Sequence, residues 1–89
     1  MITPRFTFNA EANAYLSEPF SITDKAMAHI ELSSRAPVVV LRQEDNGDYA
    51  NFGQTPRSAE SFEINITCNN EYTVMLATPV EVTKCYVLN

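Results

Sequence analysis

His29 is the only histidine of the chain, and it stands two residues before Glu31. On an extended backbone residues two apart project from one face, so an imidazole and a carboxylate would sit side by side. A metal centre needs three or four ligands in suitable geometry, and nothing near His29 in sequence supplies the rest. As a general base His29 would need a nucleophile, and no G-x-S-x-G turn or comparable signature is present. The pair reads as a solvated surface contact. The acidic run Glu44, Asp45, Asn46, Gly47, Asp48 offers clustered oxygen ligands of the kind calcium prefers. Its glycine falls too early for the twelve-residue calcium loop and no properly spaced Glu follows, so it reads as a charged hairpin tip. Asn65, Ile66 and Thr67 spell a glycosylation sequon, but short sequons arise often by chance and no secretory signal is expected for this chain. Gly47 and Gly53 are the only glycines and cannot build a phosphate-cradling loop. No catalytic residue, metal or cofactor is expected.

Aromatic and small residues are the remaining candidates. Tyr15, Tyr49, Phe52, Tyr72 and Tyr86 have amphipathic rings of the kind that stack on sugars, and Tyr49, Phe52 and Tyr72 are the candidate ligand-facing set. Ala10, Ala12 and Ala14 fall in phase on one predicted strand face. Three small side chains leave little to bury, so another sheet or another copy of the chain must approach closely. They are the candidate oligomer contact, since exposed strand edges are natural pairing sites.

The elements that would carry these residues are read from period-two alternation. Phe6, Phe8, Ala10, Ala12, Ala14 and Leu16 alternate with polar residues, which predicts one long or bent strand up to Pro19. Phe20 and Ile22 resume the pattern before Asp24 and Lys25. Ala26, Ala28, Ile30 and Leu32 alternate again; their helix-forming composition offers an alternative, but Ser33, Ser34 and Pro37 leave room for only two turns, and strand is preferred. Val38 to Leu41 has the uninterrupted β-branched character of a central strand covered on both faces. Asn46 followed by Gly47 predicts a type I′ hairpin turn, with Tyr49 to Phe52 returning. Gly53 to Ser61 reads as the longest loop. Phe62, Ile64, Ile66 and Cys68 form the clearest strand, Asn69 to Glu71 a second tight turn, Tyr72 to Leu76 another strand, and Val80 to Leu88 the last. Cys68 is in phase with its apolar neighbours whereas Cys85 is out of phase with Val80 and Val82, so the two thiols are expected on opposite faces and free.

Seven or eight short strands with turns every eight to twelve residues predict an all-β fold, a compact antiparallel β-sandwich of jelly-roll or immunoglobulin-like kind. The chain's 89 residues make a single domain, 1–89, and its 45% hydrophobic composition is that of a folded protein. Six basic against eleven acidic side chains give a net charge of -5. The basic residues are scattered, so the counterion-release term that holds a phosphate backbone is missing and no nucleic-acid partner is expected. No apolar run approaches the roughly 20 residues of a membrane span, and Met1 to Phe8 lacks the apolar stretch of a signal peptide. No membrane partner is expected.

In its overall texture the chain resembles the small β-sandwich virion proteins of tailed bacteriophages, the capsid-decoration and head-fibre modules. The likeness rests on size, a first residue Met, abundant Asn, Ser and Thr, one His, no Trp and the want of active-site motifs. It implies a non-enzymatic structural protein, made in the host cytoplasm and located in the virion. Such a protein would form a homo-oligomer, preferably a homotrimer, attached to a larger assembly such as a capsid. The rival expectation is a carbohydrate- or receptor-binding module.

Overall fold

The computed structural model describes residues 1–89 as seven strands without helix: β1 Phe6–Asn9, β2 Ala14–Ser17, β3 Phe20–Ala36, β4 Val39–Gln43, β5 Tyr49–Gln54, β6 Ala59–Thr78 and β7 Val82–Leu88. Every pairing is antiparallel. Two strands dominate. β3, of 17 residues, and β6, of 20, run beside each other from Phe20↔Val74 to Ala36↔Ala59. Ala26 to Leu32 is therefore strand, as its alternation predicts.

A ladder of this length must bend if one face is to be enclosed, and the bend is located. Between Thr23↔Glu71 and Lys25↔Thr67, Asp24 of β3 faces Cys68, Asn69 and Asn70 of β6. Asp24 takes φ 73°, in the left-handed region that short polar side chains tolerate best after glycine. A bulge of this kind turns the strands and sharpens their twist. The tight turn expected at Asn69 to Glu71 is thus corrected. β6 continues as strand through these residues, and the left-handed position lies across the ladder at Asp24.

Past the bend each half of the ladder gains its own neighbours. Beyond Glu71, β6 carries β4 on one flank (Val39↔Ala77 to Arg42↔Val74) and β2 and the start of β3 on the other. β5 adds outside β4, and β1 outside β2. Before Thr67, β6 pairs only with β3, whose far flank carries β7. Ile2 bridges Val87 of β7, and the chain then passes through the buried Pro4 into β1, sealing one seam of a nearly closed, barrel-like sheet. Ile22, Ile30, Val38, Val74, Leu76 and Val87 are fully buried inside it. Each contributes about 1.5 to 3 kcal/mol through burial.

Where ladders break, buried hydroxyls complete them. Pro19 separates β2 from β3 and has no N–H to give; there Ser17 Oγ accepts the N–H of Leu76 at 2.9 Å and donates to the Glu18 carbonyl. Before β4, Thr55 Oγ1 accepts the Val38 N–H at 3.0 Å while the Thr55 N–H returns to the Val38 carbonyl at 2.9 Å. Thr78 Oγ1 donates to the Pro37 carbonyl. Ser17, Thr55 and Thr78 are all buried, and each is satisfied by backbone, as buried polar groups must be.

Other expectations need correcting. The run Phe6 to Leu16 is a hairpin, β1 against β2, turning through Ala10 to Asn13. Asn9 Oδ1 accepts the Ala12 N–H at 2.9 Å and Asn13 adopts φ 52°, so two asparagines supply turn chemistry that alanines cannot oppose. At the β4–β5 hairpin only Gly47 has positive φ, 91°, and its N–H bonds the Glu44 carbonyl at 2.9 Å. That is the wider loop with a left-handed glycine rather than the type I′ turn, which needs two positive φ values. The loop expected over 53–61 shrinks to 55–58, since β5 continues through Gln54 and β6 begins at Ala59. Val38 and Val40 are buried and Val39 and Leu41 half-buried, in keeping with β4's place between two strands.

Asp24→Val is expected to destabilise the protein by about 1–2 kcal/mol, the cost of a branched L-residue in the left-handed region, while Asp24→Gly should change stability by less than about 1 kcal/mol. Urea unfolding of the two variants checks this.

Candidate functional site

Of the three candidate aromatics the fold brings two together. Phe52 of β5 and Tyr72 of β6 meet edge to face with ring centroids 5.8 Å apart. Between them lies Arg42 of β4, its guanidinium 4.6 Å from the Tyr72 ring and 5.5 Å from that of Phe52. The guanidinium also donates to Glu44 Oε2 at 2.9 Å, and this bond, set against partial desolvation, raises its pKa. Tyr72 donates its hydroxyl to Asn69 Oδ1. The group closes one end of the sheet. Below it, Val40 and Val74 are buried. Tyr49 pairs with Gln43, the neighbour of Arg42, and therefore faces the other side of β4–β5. It makes no ring contact with Phe52 or Tyr72. A polar cleft of about 420 Å³ opens beside this group, lined by Arg42, Glu44, Asp45, Glu71, Tyr72 and Thr73 among others.

Arg42 is the residue that sequence reading missed. A signal was present: it continues the inward phase of Val38 and Val40, and a cation in an apolar phase must find aromatic faces or a carboxylate.

A second group occupies the outer face of β6, β3 and β7. His29 Nε2 and Glu31 Oε2 are 2.7 Å apart, as their spacing predicts. Cross-strand neighbours that no sequence spacing reveals complete it. The imidazole stacks on Tyr86 of β7 at 5.0 Å, and its Nδ1 lies 3.8 Å from the Glu63 carboxylate, too far for a hydrogen bond. Lys84 covers the other end of Tyr86 at 6.0 Å. The His29 hydrogen bond holds the Glu31 carboxyl below its ordinary pKa, with Lys84 adding to the effect and desolvation opposing it.

Ala10 and Ala12 lie exposed in the first turn, and Ala14 is half-buried on β2. They share no strand face, which corrects the expectation of three small residues in phase on one strand. The acidic turn satisfies itself: Glu44 holds Arg42, and Asn46 bonds both the side chain and the N–H of Asp48. No group of three or more His, Cys, Asp or Glu side chains converges as metal ligands. Asn65 of the sequon is exposed in the middle of β6.

Both cysteines are free. A register shift between Glu31 and Leu32 leaves Thr83 without a partner in β3, which reverses the phase of β7 and turns Cys85 inward with Val87. The expectation of opposite faces is corrected, since Cys85 packs against the core that also contains Cys68. Thr67, next to Cys68, pairs with Lys25, whereas Cys85 pairs with Ile30, five residues or about 16 Å further along β3, beyond disulfide reach. Burial pushes the Cys85 thiol up to about 11, far from a reactive thiolate.

The third candidate is the open seam. β5 and β6 do not pair, and a groove of about 370 Å³ separates Phe52, Gly53 and Gln54 from Ile64, Asn65, Ile66 and Thr67. Phe52, Phe62 and Ile64 pack against the core from its margins and stay half-covered. Comparison of the chain with protein-family models, with curated proteins and with solved structures finds no match.

Because its folded-state pKa is lowered, Glu31 contributes stability that is present above the ordinary carboxylate range and lost as pH falls through the lowered value. NMR titration should place the Glu31 midpoint below that of a free glutamate. His29→Ala should move it back up.

Proposed function

We propose that the chain is a non-enzymatic structural module that works through protein–protein contacts, as a component of a virion of the capsid-decoration or head-fibre kind. The supporting observation is the open seam, where an otherwise enclosed sheet leaves Phe52, Phe62 and Ile64 half-covered beside unpaired strand edges. Phe8 and Leu88 add exposed apolar surface on the outer strands. Apolar side chains next to free backbone donors and acceptors favour a protein neighbour, because one partner can cover both. The resemblance in size and composition to phage virion modules supplies the setting, and a sandwich-like closure of the two halves of the sheet belongs to the same reading. Self-association into a homo-oligomer and attachment to a larger shell are its two parts.

A glycan-binding reading has one observation in its favour. The cleft beside Arg42 presents one aromatic wall, Tyr72, with carboxylates at Glu44, Asp45 and Glu71. Sugar recognition uses that combination, but here Arg42 already lies 4.6 Å from the Tyr72 ring and Phe52 meets it edge to face.

Density-gradient fractionation of the producing lysate, with quantitative mass spectrometry, tests the proposal. The chain should sediment with particles in fixed stoichiometry to a shell protein. Recovery at low mass only, with glycan-array binding abolished by Tyr72→Ala, would replace it by the second reading.

A further inference from the structure

The free flank of β6 can be read atom by atom. Val87 exchanges both backbone hydrogen bonds with Ile2, at 2.7 and 2.9 Å, so its N–H and C=O point away from β3. In an antiparallel ladder bonded and non-bonded pairs alternate, which directs Tyr86 and Leu88 of β7 to His29 and Met27 of β3. The residues between these, Ala28 and its neighbours Ala26 and Ile30, then turn the other way and bond Ile64, Ile66 and Phe62 of β6. What is left over on β6, the N–H and C=O groups of Ser61, Glu63, Asn65 and Thr67, faces the open seam. The parity agrees with the far half of the strand, where the N–H of Leu76 points to the β2 side.

Natural edges are usually guarded by lysine, proline or a sharp twist. This one has none of the first two: from Ser61 to Asn70 the sequence SFEINITCNN holds one charge, Glu63, and no Lys, Arg, Pro or Gly. It is flanked inward by Phe62 and Ile64, which the single chain leaves half-covered.

We propose that this edge pairs with the same edge of a second copy of the chain, antiparallel about a two-fold axis through Ile64. The inference rests on the assembly reading and gives it a surface and a register. With the axis at Ile64, Ser61 meets Thr67 and Glu63 meets Asn65 of the second copy, and the reverse. Each such pair exchanges two hydrogen bonds, about eight in all, and no free group between 61 and 67 is left over. An axis at Glu63 would set two carboxylates face to face. One at Asn65 would push Ser61 against Asn69, inside the bulge opposite Asp24. On the inner face Phe62 meets Ile66 of the second copy and the two Ile64 side chains meet on the axis, covering what the monomer leaves open. The match of a strand to itself, without like charges opposed, is what identifies the occupant as a second copy rather than an arbitrary peptide. An isologous edge closes at two, in place of the three-fold arrangement expected from the sequence.

Sedimentation velocity and native mass spectrometry of the purified full chain test this. The wild type should be a concentration-dependent dimer. Asn65→Pro removes only a seam-facing N–H, so it should give a monomer with unchanged far-UV circular dichroism. Should that variant fail to fold, Asn65→Asp serves: it keeps the shape, opposes Glu63 of the second copy twice per dimer, and should raise the dimer Kd about tenfold. Adding Glu63→Gln should restore it. A wild type that stays monomeric at millimolar concentration overturns the proposal, as does a dimer indifferent to Asn65→Asp. Either result leaves the assembly reading standing if the chain still sediments with particles, and that reading falls only if it does not.

Discussion

An antiparallel ladder between strands of 17 and 20 residues cannot remain flat and still enclose a core with so short a chain. The bend opposite Asp24 resolves the conflict, and the rest of the architecture follows from it. On one side of the bend β6 keeps two flanking neighbours; on the other it keeps one. The half-strand with two neighbours supplies Val74 and Leu76 to the centre of the core, where both are inaccessible to solvent. The half-strand with one neighbour leaves Phe62 and Ile64 at the margin. Removing the left-handed residue would therefore strain the whole enclosure, because β2, β4 and β7 all take their positions from β3 or β6.

A nearly closed sheet has two seams, and they are treated differently. The seam between β7 and β1 is crossed by the chain itself: Ile2 bonds Val87, and Pro4 is buried on the way to β1. At the other seam the chain also crosses, through residues 55–58, but no strand bridge closes it: β5 and β6 do not pair. The buried Thr55 carries the β4–β5 ladder one residue further, to Val38, just as Ser17 repairs a ladder at the end of β2. The groove between Phe52 and Ile64 lies on the unpaired side.

Much of this was legible from alternation. Strand identity, the His29–Glu31 pair and the inward phase of Ile64, Ile66 and Cys68 all follow from a period of two, and the hairpin around Gly47 follows from Asn46 and Gly47. What alternation cannot carry is long-range register. Period two continues through a turn if the turn has small side chains, which is why Ala10 and Ala12 read as strand. Polar residues inside a bulge look like turn chemistry, which is why Asn69 to Glu71 read as a turn, and a bulge shifts the phase without a mark in the sequence, which is why Cys85 read as facing away from Cys68. The Arg42, Phe52 and Tyr72 group joins three strands, and His29 and Tyr86 join two. Neither could be assembled without knowing which strands are neighbours.

Charge completes the account. At -5 the chain repels its copies at long range, yet at physiological ionic strength that repulsion is screened beyond about 8 Å. What decides contact is the charge within a few residues of the meeting surface. Acidic residues gather at the β4–β5 tip, beside His29 and at the two ends of the seam segment, Glu60 and Glu71, among other places, while the open flank of β6 carries Glu63 alone between Ser61 and Asn70. Acidity elsewhere keeps approach in wrong orientations unfavourable, and the seam is the place where backbone and apolar surface meet with little charge to oppose them. On the proposed edge pairing, the net charge over the rest of the surface narrows association to one geometry.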